Sequence, residues 1–220
     1  MSVEVKICGL STLKTLDAAL DAGADYVGFV FFEKSPRNVE IDRATTLVAH
    51  AKGSATTVAL VVDPDWPRLD EIMGKVAPDA LQFHGSESPD FLRQVHARYP
   101  DTEIWKALPI ASQDDLGQLA LYLSLTDRIL FDAKPPKGAD RPGGHGRSFD
   151  WSLLRDLDPE LGFMLSGGLD PDNVADAIRM THAMAVDVSS GVESAPGVKD
   201  TDKIRAFIAA ARAVRRERAL

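Results

Sequence analysis

The chain has 220 residues, 45% of them hydrophobic and 26% charged, with a formal net charge of -8 and a single cysteine. That balance suits one soluble globular domain over residues 1–220, with a core large enough to stand without disulfides, and a lone cysteine forms none within a chain. The negative charge argues against a broad nucleic-acid surface. No basic, then apolar leader opens the chain, and the longest apolar runs fall far short of the roughly 20 residues that cross a bilayer, so the expected setting is cytoplasmic, without a membrane partner.

Short apolar segments alternate with helical stripes from end to end. Strands are predicted at 3–8, 26–31, 57–62, 80–84, 103–108, 128–132, 162–166 and 185–189, several apolar on both faces, as in a buried parallel sheet. The first helical stripe is Leu13, Leu16 and Leu20, and the second is Ala44, Leu47, Val48 and Ala51. Leu69, Ile72, Met73 and Val76 come next, then Phe91, Leu92 and Val95. Leu116, Leu119 and Leu123 follow, then Val174, Ala177 and Ile178, and last Ile204, Phe207, Ile208 and Ala211. Ser88-Pro89 and Asp170-Pro171 mark helix starts, while Gly23 and Gly53 follow stripes where a helix stops. The faintest helix lies around 150–157. The C-terminal cluster Arg212, Arg215, Arg216 and Arg218 reads as the end of the last helix, whose dipole favours cations.

Eight strand–helix units predict an α/β fold, a single (β/α)8 TIM barrel; an open doubly wound sheet is the runner-up, without its usual G-x-G-x-x-G after the first strand. In a barrel, chemistry gathers at the C-terminal ends of the strands. Those ends carry Cys8, then Ser35-Pro36-Arg37, Asp63, His84, Lys106, Asp132, Ser166-Gly167-Gly168 and Asp187 with Ser189-Ser190-Gly191. The last two groups put glycines where barrel loops seven and eight often bind phosphate, so Gly167, Gly168, Ser190 and Gly191 are the candidate phosphate site. The partner this implies is a phosphorylated small molecule.

Cys8 at the end of strand one, before Gly9, can serve as nucleophile or proton acceptor if it ionises, although a lone cysteine is as a rule a core residue. Asp132 follows Ile129-Leu130-Phe131; a carboxyl group partly out of water holds its proton more readily, which suits a general acid, and a structural hydrogen bond is the alternative. Arg37 offers a planar fork for a carboxylate, and Asp187 an acceptor for sugar hydroxyls. The five histidines show no metal-ligand spacing, so no metal or other cofactor is expected.

The motifs Lys6-Ile7-Cys8-Gly9-Leu10, Ser35-Pro36-Arg37, Gln82-Phe83-His84-Gly85, Phe131-Asp132, Gly143-Gly144-His145-Gly146, Phe149-Asp150-Trp151, Ser166-Gly167-Gly168-Leu169 and Asp187-Val188-Ser189-Ser190-Gly191-Val192-Glu193 occur in this order. In them the chain resembles the phosphoribosylanthranilate isomerase family of tryptophan biosynthesis over nearly its full length. The resemblance implies a cofactor-free Amadori rearrangement with Asp132 as acid, Cys8 as base and Arg37 on the anthranilate carboxylate. It also implies Asp187 and His84 on the sugar, phosphate held by backbone amides around Gly168, Ser190 and Gly191, and a monomer or homodimer. His145 departs from the small residue frequent there in the family. The same loop carries Lys134, Lys137 and Arg141, basic groups suited to gathering an anion.

Three rival readings remain. A histidine-pathway aminoaldose isomerase would use two carboxylates, and Cys8 argues against it. A tryptophan-pathway synthase would rely on a lysine, for which Lys6, with the same strand parity as Cys8, is the reserve candidate. A ligand-binding barrel without catalysis would tolerate loss of Cys8 or Asp132.

Overall fold

The computed structural model describes residues 2–136, 138–146, 148–158 and 161–214. Eight parallel strands close into a barrel in sequence order, the last pairing with the first. They are β1 (Glu4–Cys8), β2 (Tyr26–Phe31), β3 (Thr56–Val61), β4 (Ala80–Phe83), β5 (Glu103–Ile110), β6 (Arg128–Ala133), β7 (Met164–Leu165) and β8 (Ala185–Val188). Closure excludes the open doubly wound sheet. A small antiparallel hairpin, β9 (Glu193–Ala195) with β10 (Val198–Lys199), follows β8.

The helices are α1 (Leu13–Asp21), α2 (Ile41–Ala51), α3 (Trp66–Lys75), α4 (Pro89–Arg98), α5 (Leu119–Tyr122), α6 (Val174–Thr181) and α7 (Thr201–Arg212). Ser88 caps α4 by accepting from the Phe91 amide, with Pro89 in the first turn, and Gly23 and Gly53 take positive φ beyond α1 and α2, as their sequence predicts. Asp170 instead caps a turn, accepting from the amides of Asp172 and Asn173, and α6 begins only at Val174. The faint helix after β6 is one 3-10 turn, Trp151–Leu154. Leu116 falls in another, Gln113–Gln118, that leads into α5.

Strand parity sorts the side chains. Val5, Ile7, Val27, Phe29, Ile129, Phe131, Val186 and Val188 point outward into the layer shared with the helices. Tyr26, Val58, Trp105, Leu130, Met164 and Ala185 fill the barrel interior. Burying each large apolar side chain stabilises the fold by roughly 1.5–3 kcal/mol. At the lower end Tyr26 meets Trp105 edge-on at 5.1 Å, while Arg128 donates to both the Tyr26 hydroxyl and Glu4. That end is a plug, which leaves the C-terminal ends of the strands for chemistry.

Of the C-terminal basic cluster, Arg212 ends α7 and ties it to the plugged end through the Val3 carbonyl and Asp25. Arg215, Arg216 and Arg218 lie outside the described residues. No helix among the described residues is long and apolar enough to cross a membrane.

Candidate active site

The inward parity of β1, β6 and β8 brings Cys8, Asp132 and Asp187 to the barrel mouth, where with Arg37 and His84 they line one cavity. The space between them opens to solvent at the mouth of the barrel. Gly167, Gly168 and Ser190 border it as well.

Asp132 is 5% exposed. Its Oδ1 accepts from the Ala133 amide at 2.8 Å, and its Oδ2 lies 2.9 Å from His84 Nε2. Gln82 Nε2 stands 3.4 Å from His84 Nδ1, and donation there puts the ring proton on Nε2, aimed at Asp132. His84, expected on the sugar, is thus already engaged with the acid candidate. Gly167 makes room: a Cβ there would stand 2.4 Å from the Ala133 nitrogen and 2.8 Å from Asp132 Oδ1. Its φ of +87° suits glycine for a second reason.

Cys8 is buried beside Val30 and Leu60. Burial pushes its thiol above the ordinary value, with Lys6 the strongest opposing influence. Lys6 is fully buried, and its Nζ reaches Asp187 Oδ1 at 3.0 Å. The other Asp187 oxygen accepts from Ser166 Oγ at 3.3 Å. Both oxygens therefore have protein donors, and a sugar hydroxyl would use their remaining lone pairs.

Arg37 is not a free clamp. Its Nε and Nη2 donate to the two oxygens of Glu193 at 2.7 and 2.8 Å. That leaves Nη1, beside which a Cβ on Gly144 would stand at 2.5 Å. Lys199 completes the group, donating to Glu193 Oε1 at 2.9 Å and to Ser189. Burial alone would raise the Glu193 carboxyl, but Arg37 and Lys199 outweigh it and hold it below the usual range. Neither Glu193 nor Lys199 has a role in the reading of the sequence. Glu193 stands at the end of a quoted motif, while Lys199 reaches the site only because the β9–β10 hairpin turns back.

The glycines of the loop after β6 permit close approach. A Cβ on Gly143 would stand 2.9 Å from Asp132 Oδ2 and 3.0 Å from His84 Nε2. Arg141 and His145 line the cavity, His145 Nε2 lying 3.0 Å from the Arg141 carbonyl. Lys134 is tied to Asp115 at 2.7 Å, so its charge is partnered within the protein, and Lys137 lies outside the described residues. Lys106, expected at a strand end, lies in the middle of β5, which runs on to Ile110; it has outward parity and donates to Glu87 at 2.9 Å, away from the cavity.

The family model described as "PRAI: N-(5'phosphoribosyl)anthranilate (PRA) isomerase" matches residues 5–210. The chain belongs to the N-(5'-phosphoribosyl)anthranilate isomerase family. A protein of that name from Rhodopseudomonas palustris (strain BisA53) is 58% identical over 216 residues, 98% of this chain and 99% of that one. The crystal structure of phosphoribosyl anthranilate isomerase from Thermotoga maritima superposes with a TM-score of 0.86 at 35% identity, covering 96% of this chain and all of the other. Another isomerase structure, in complex with reduced 1-(o-carboxyphenylamino)-1-deoxyribulose 5-phosphate, gives a TM-score of 0.81 at 33% identity, with 96% and 100% coverage.

Among the four phosphate candidates, Gly191 stands apart. It borders the adjoining hollow with Asp170 and Lys203, which shares Gly168 and Ser190 with the main cavity. A Cβ on Gly191 would fall 1.9 Å from the Leu169 carbonyl oxygen, a backbone atom that cannot step aside. Gly191→Ala is expected to cost roughly 1–3 kcal/mol through overpacking, a fall of about 3–10 °C in Tm. A thermal melt within a degree of wild type would show that the loops after β7 and β8 are not tightly packed here.

Proposed function

We propose that Cys8 is the general base and Asp132 the general acid of the isomerisation this family member catalyses, the Amadori rearrangement of N-(5-phosphoribosyl)anthranilate in tryptophan biosynthesis. The observation that carries the assignment is a shared cavity: a thiol from β1 and a carboxyl from β6 border the same space as the glycine loops after β7 and β8.

Asp132 protonates the ring oxygen, and the furanose opens to an iminium. The Cys8 thiolate removes the C2 proton, and the resulting enolamine tautomerises to 1-(2-carboxyphenylamino)-1-deoxyribulose 5-phosphate. A positioned acid and a positioned base each contribute on the order of 10² to 10⁴ in rate. His84 keeps the Asp132 carboxyl aimed at the cavity. Backbone amides around Gly168, Ser190 and Gly191 receive the phosphate, while Asp187 accepts from a sugar hydroxyl. In this reading residues 1–220 act as one domain in the cytoplasm, as a monomer or homodimer.

Arg37 holds the anthranilate carboxylate through Nη1, the arm that Glu193 does not occupy. A charge-assisted hydrogen bond of about 1.5–3 kcal/mol corresponds to roughly ten- to hundredfold in KM. Arg37→Ala is therefore expected to raise KM by that factor and to leave kcat less affected. Anthranilate fluorescence during turnover by the purified protein gives both constants. An unchanged KM removes Arg37 from carboxylate binding. Tm should fall too, because Glu193 is left buried with Lys199 as its remaining charge partner.

A further inference from the structure

The charges packed around Cys8 do not cancel. Lys6 reaches it from within β1, Asp187 from β8 and Lys199 from β10, with Arg37 and Glu193 behind. Three cations thus meet two carboxylates, all of them buried. Facing Cys8 across the cavity are His84 and Asp132, Nε2 to Oδ2 at 2.9 Å; a neutral imidazole beside the protonated carboxyl that the acid role proposed above requires adds no net charge. With all three cations protonated one positive charge is left over, and burial holds Lys199, though not Lys6, below its ordinary value. A thiolate at Cys8 would balance that charge.

The cation that acts most strongly on the thiol is Lys6. It pairs with Asp187 across the β1–β8 register, where Lys6 stands directly opposite Asp187. The Cys8 thiol is its other electrostatic neighbour. Position 28, opposite Cys8 on β2, explains how both fit: a Cβ there would stand 3.0 Å from Cys8 Sγ and 3.1 Å from Lys6 Nζ. Glycine at that position leaves one small space into which the thiol and the ammonium converge. An ammonium with no solvent access is costly unless it is partnered. Asp187 and Cys8 are its partners, and they outweigh burial to hold Lys6 protonated above its ordinary value.

We infer that Lys6 is the positioning residue of the base, a buried cation whose charge makes the buried Cys8 thiol ionisable. The inference deepens the assignment of Cys8 as base and rests on it for its meaning in turnover. Lys6 would touch no reacting atom. It would act through the thiol, and Asp187 through Lys6.

Because Cys8 is the chain's one cysteine, alkylation by iodoacetamide, followed by mass spectrometry across pH, reads its ionisation without turnover. In Lys6→Gln the midpoint of alkylation is expected to rise by at least one pH unit, with an alkylation rate at pH 7 at least tenfold below wild type. If that variant fails to fold, Lys6→Gln with Asp187→Asn exchanges the ion pair for a neutral pair of similar shape. There too the midpoint should rise, because Lys6 acts on the thiol more strongly than Asp187 does. An unchanged midpoint in whichever variant folds overturns the inference. The acid limb of kcat/KM in Lys6→Gln separates the two assignments. If alkylation shifts and that limb does not, Lys6 governs the thiol but Cys8 is not the base.

Discussion

Replacing Cys8 with alanine is expected to lower kcat by about two orders of magnitude or more, with the barrel still folded. The expectation follows from what the side chain touches. Sγ sits at the top of the barrel interior with Val30 and Leu60, on the cavity wall rather than deep in the apolar core. Its loss removes one atom at the cavity wall and one of the two partners of the buried Lys6 ammonium, while the Asp187 ion pair remains, so a cost of roughly 1–3 kcal/mol is expected. The fall in kcat is read beside a melting curve, so that the two effects are measured separately. The reaction loses the only group at the mouth end of β1 able to take the C2 proton, since Glu4 lies at the plugged end and the Lys6 ammonium has no lone pair to offer. Cys8→Ser should fare little better, because a serine hydroxyl does not ionise near neutral pH. Anthranilate fluorescence under saturating substrate measures kcat, and circular dichroism checks the fold. Near-normal turnover by Cys8→Ala would reject the base assignment.

Asp132→Asn is expected to reduce kcat by a similar factor, about 10² or more. The amide keeps the shape of the carboxyl, and its oxygen can still accept from the Ala133 amide at the place of Oδ1. What it cannot do is deliver a proton to the ring oxygen. Its NH2 would face His84 Nε2, where the acid now stands 2.9 Å away. The imidazole would have to present a bare nitrogen there and carry its proton on Nδ1, toward Gln82. The variant thus loses both the proton and the tautomer that points at it, and KM should change less than kcat. A kcat within tenfold of wild type would assign ring opening to another group.

Much of the fold is legible in the sequence for a local reason. A strand covered on both faces must be apolar on both, and a helix laid against a barrel must show one stripe. Residues 26–31 and the Leu47–Val48 stripe meet those conditions without reference to the rest of the chain. Caps such as Ser88 are equally local, because a side chain satisfies an amide three residues on. Where the pattern failed, something non-local had intervened. Asp170-Pro171 has the composition of a helix start, but Asp170 is used to close a turn in the loop after β7, and the helix waits until Val174. At β7 two residues suffice, because its neighbours on both sides hold it in register.

Residue type, parity and order were enough to set the barrel, most of its strand ends and the candidates Cys8, Asp132, Arg37 and the glycine loops; the end of β5, which runs past Lys106 to Ile110, was not among them. Only the tertiary structure decided their partners. That Lys6 meets Asp187, that Arg37 gives two of its arms to Glu193, that Lys199 returns on a hairpin and that His84 faces Asp132 are contacts between residues distant in the chain. Such pairings leave no periodic trace. A charge buried without its partner would be prohibitively costly, so folding selects the partner, and closure of the barrel is what brings the two together.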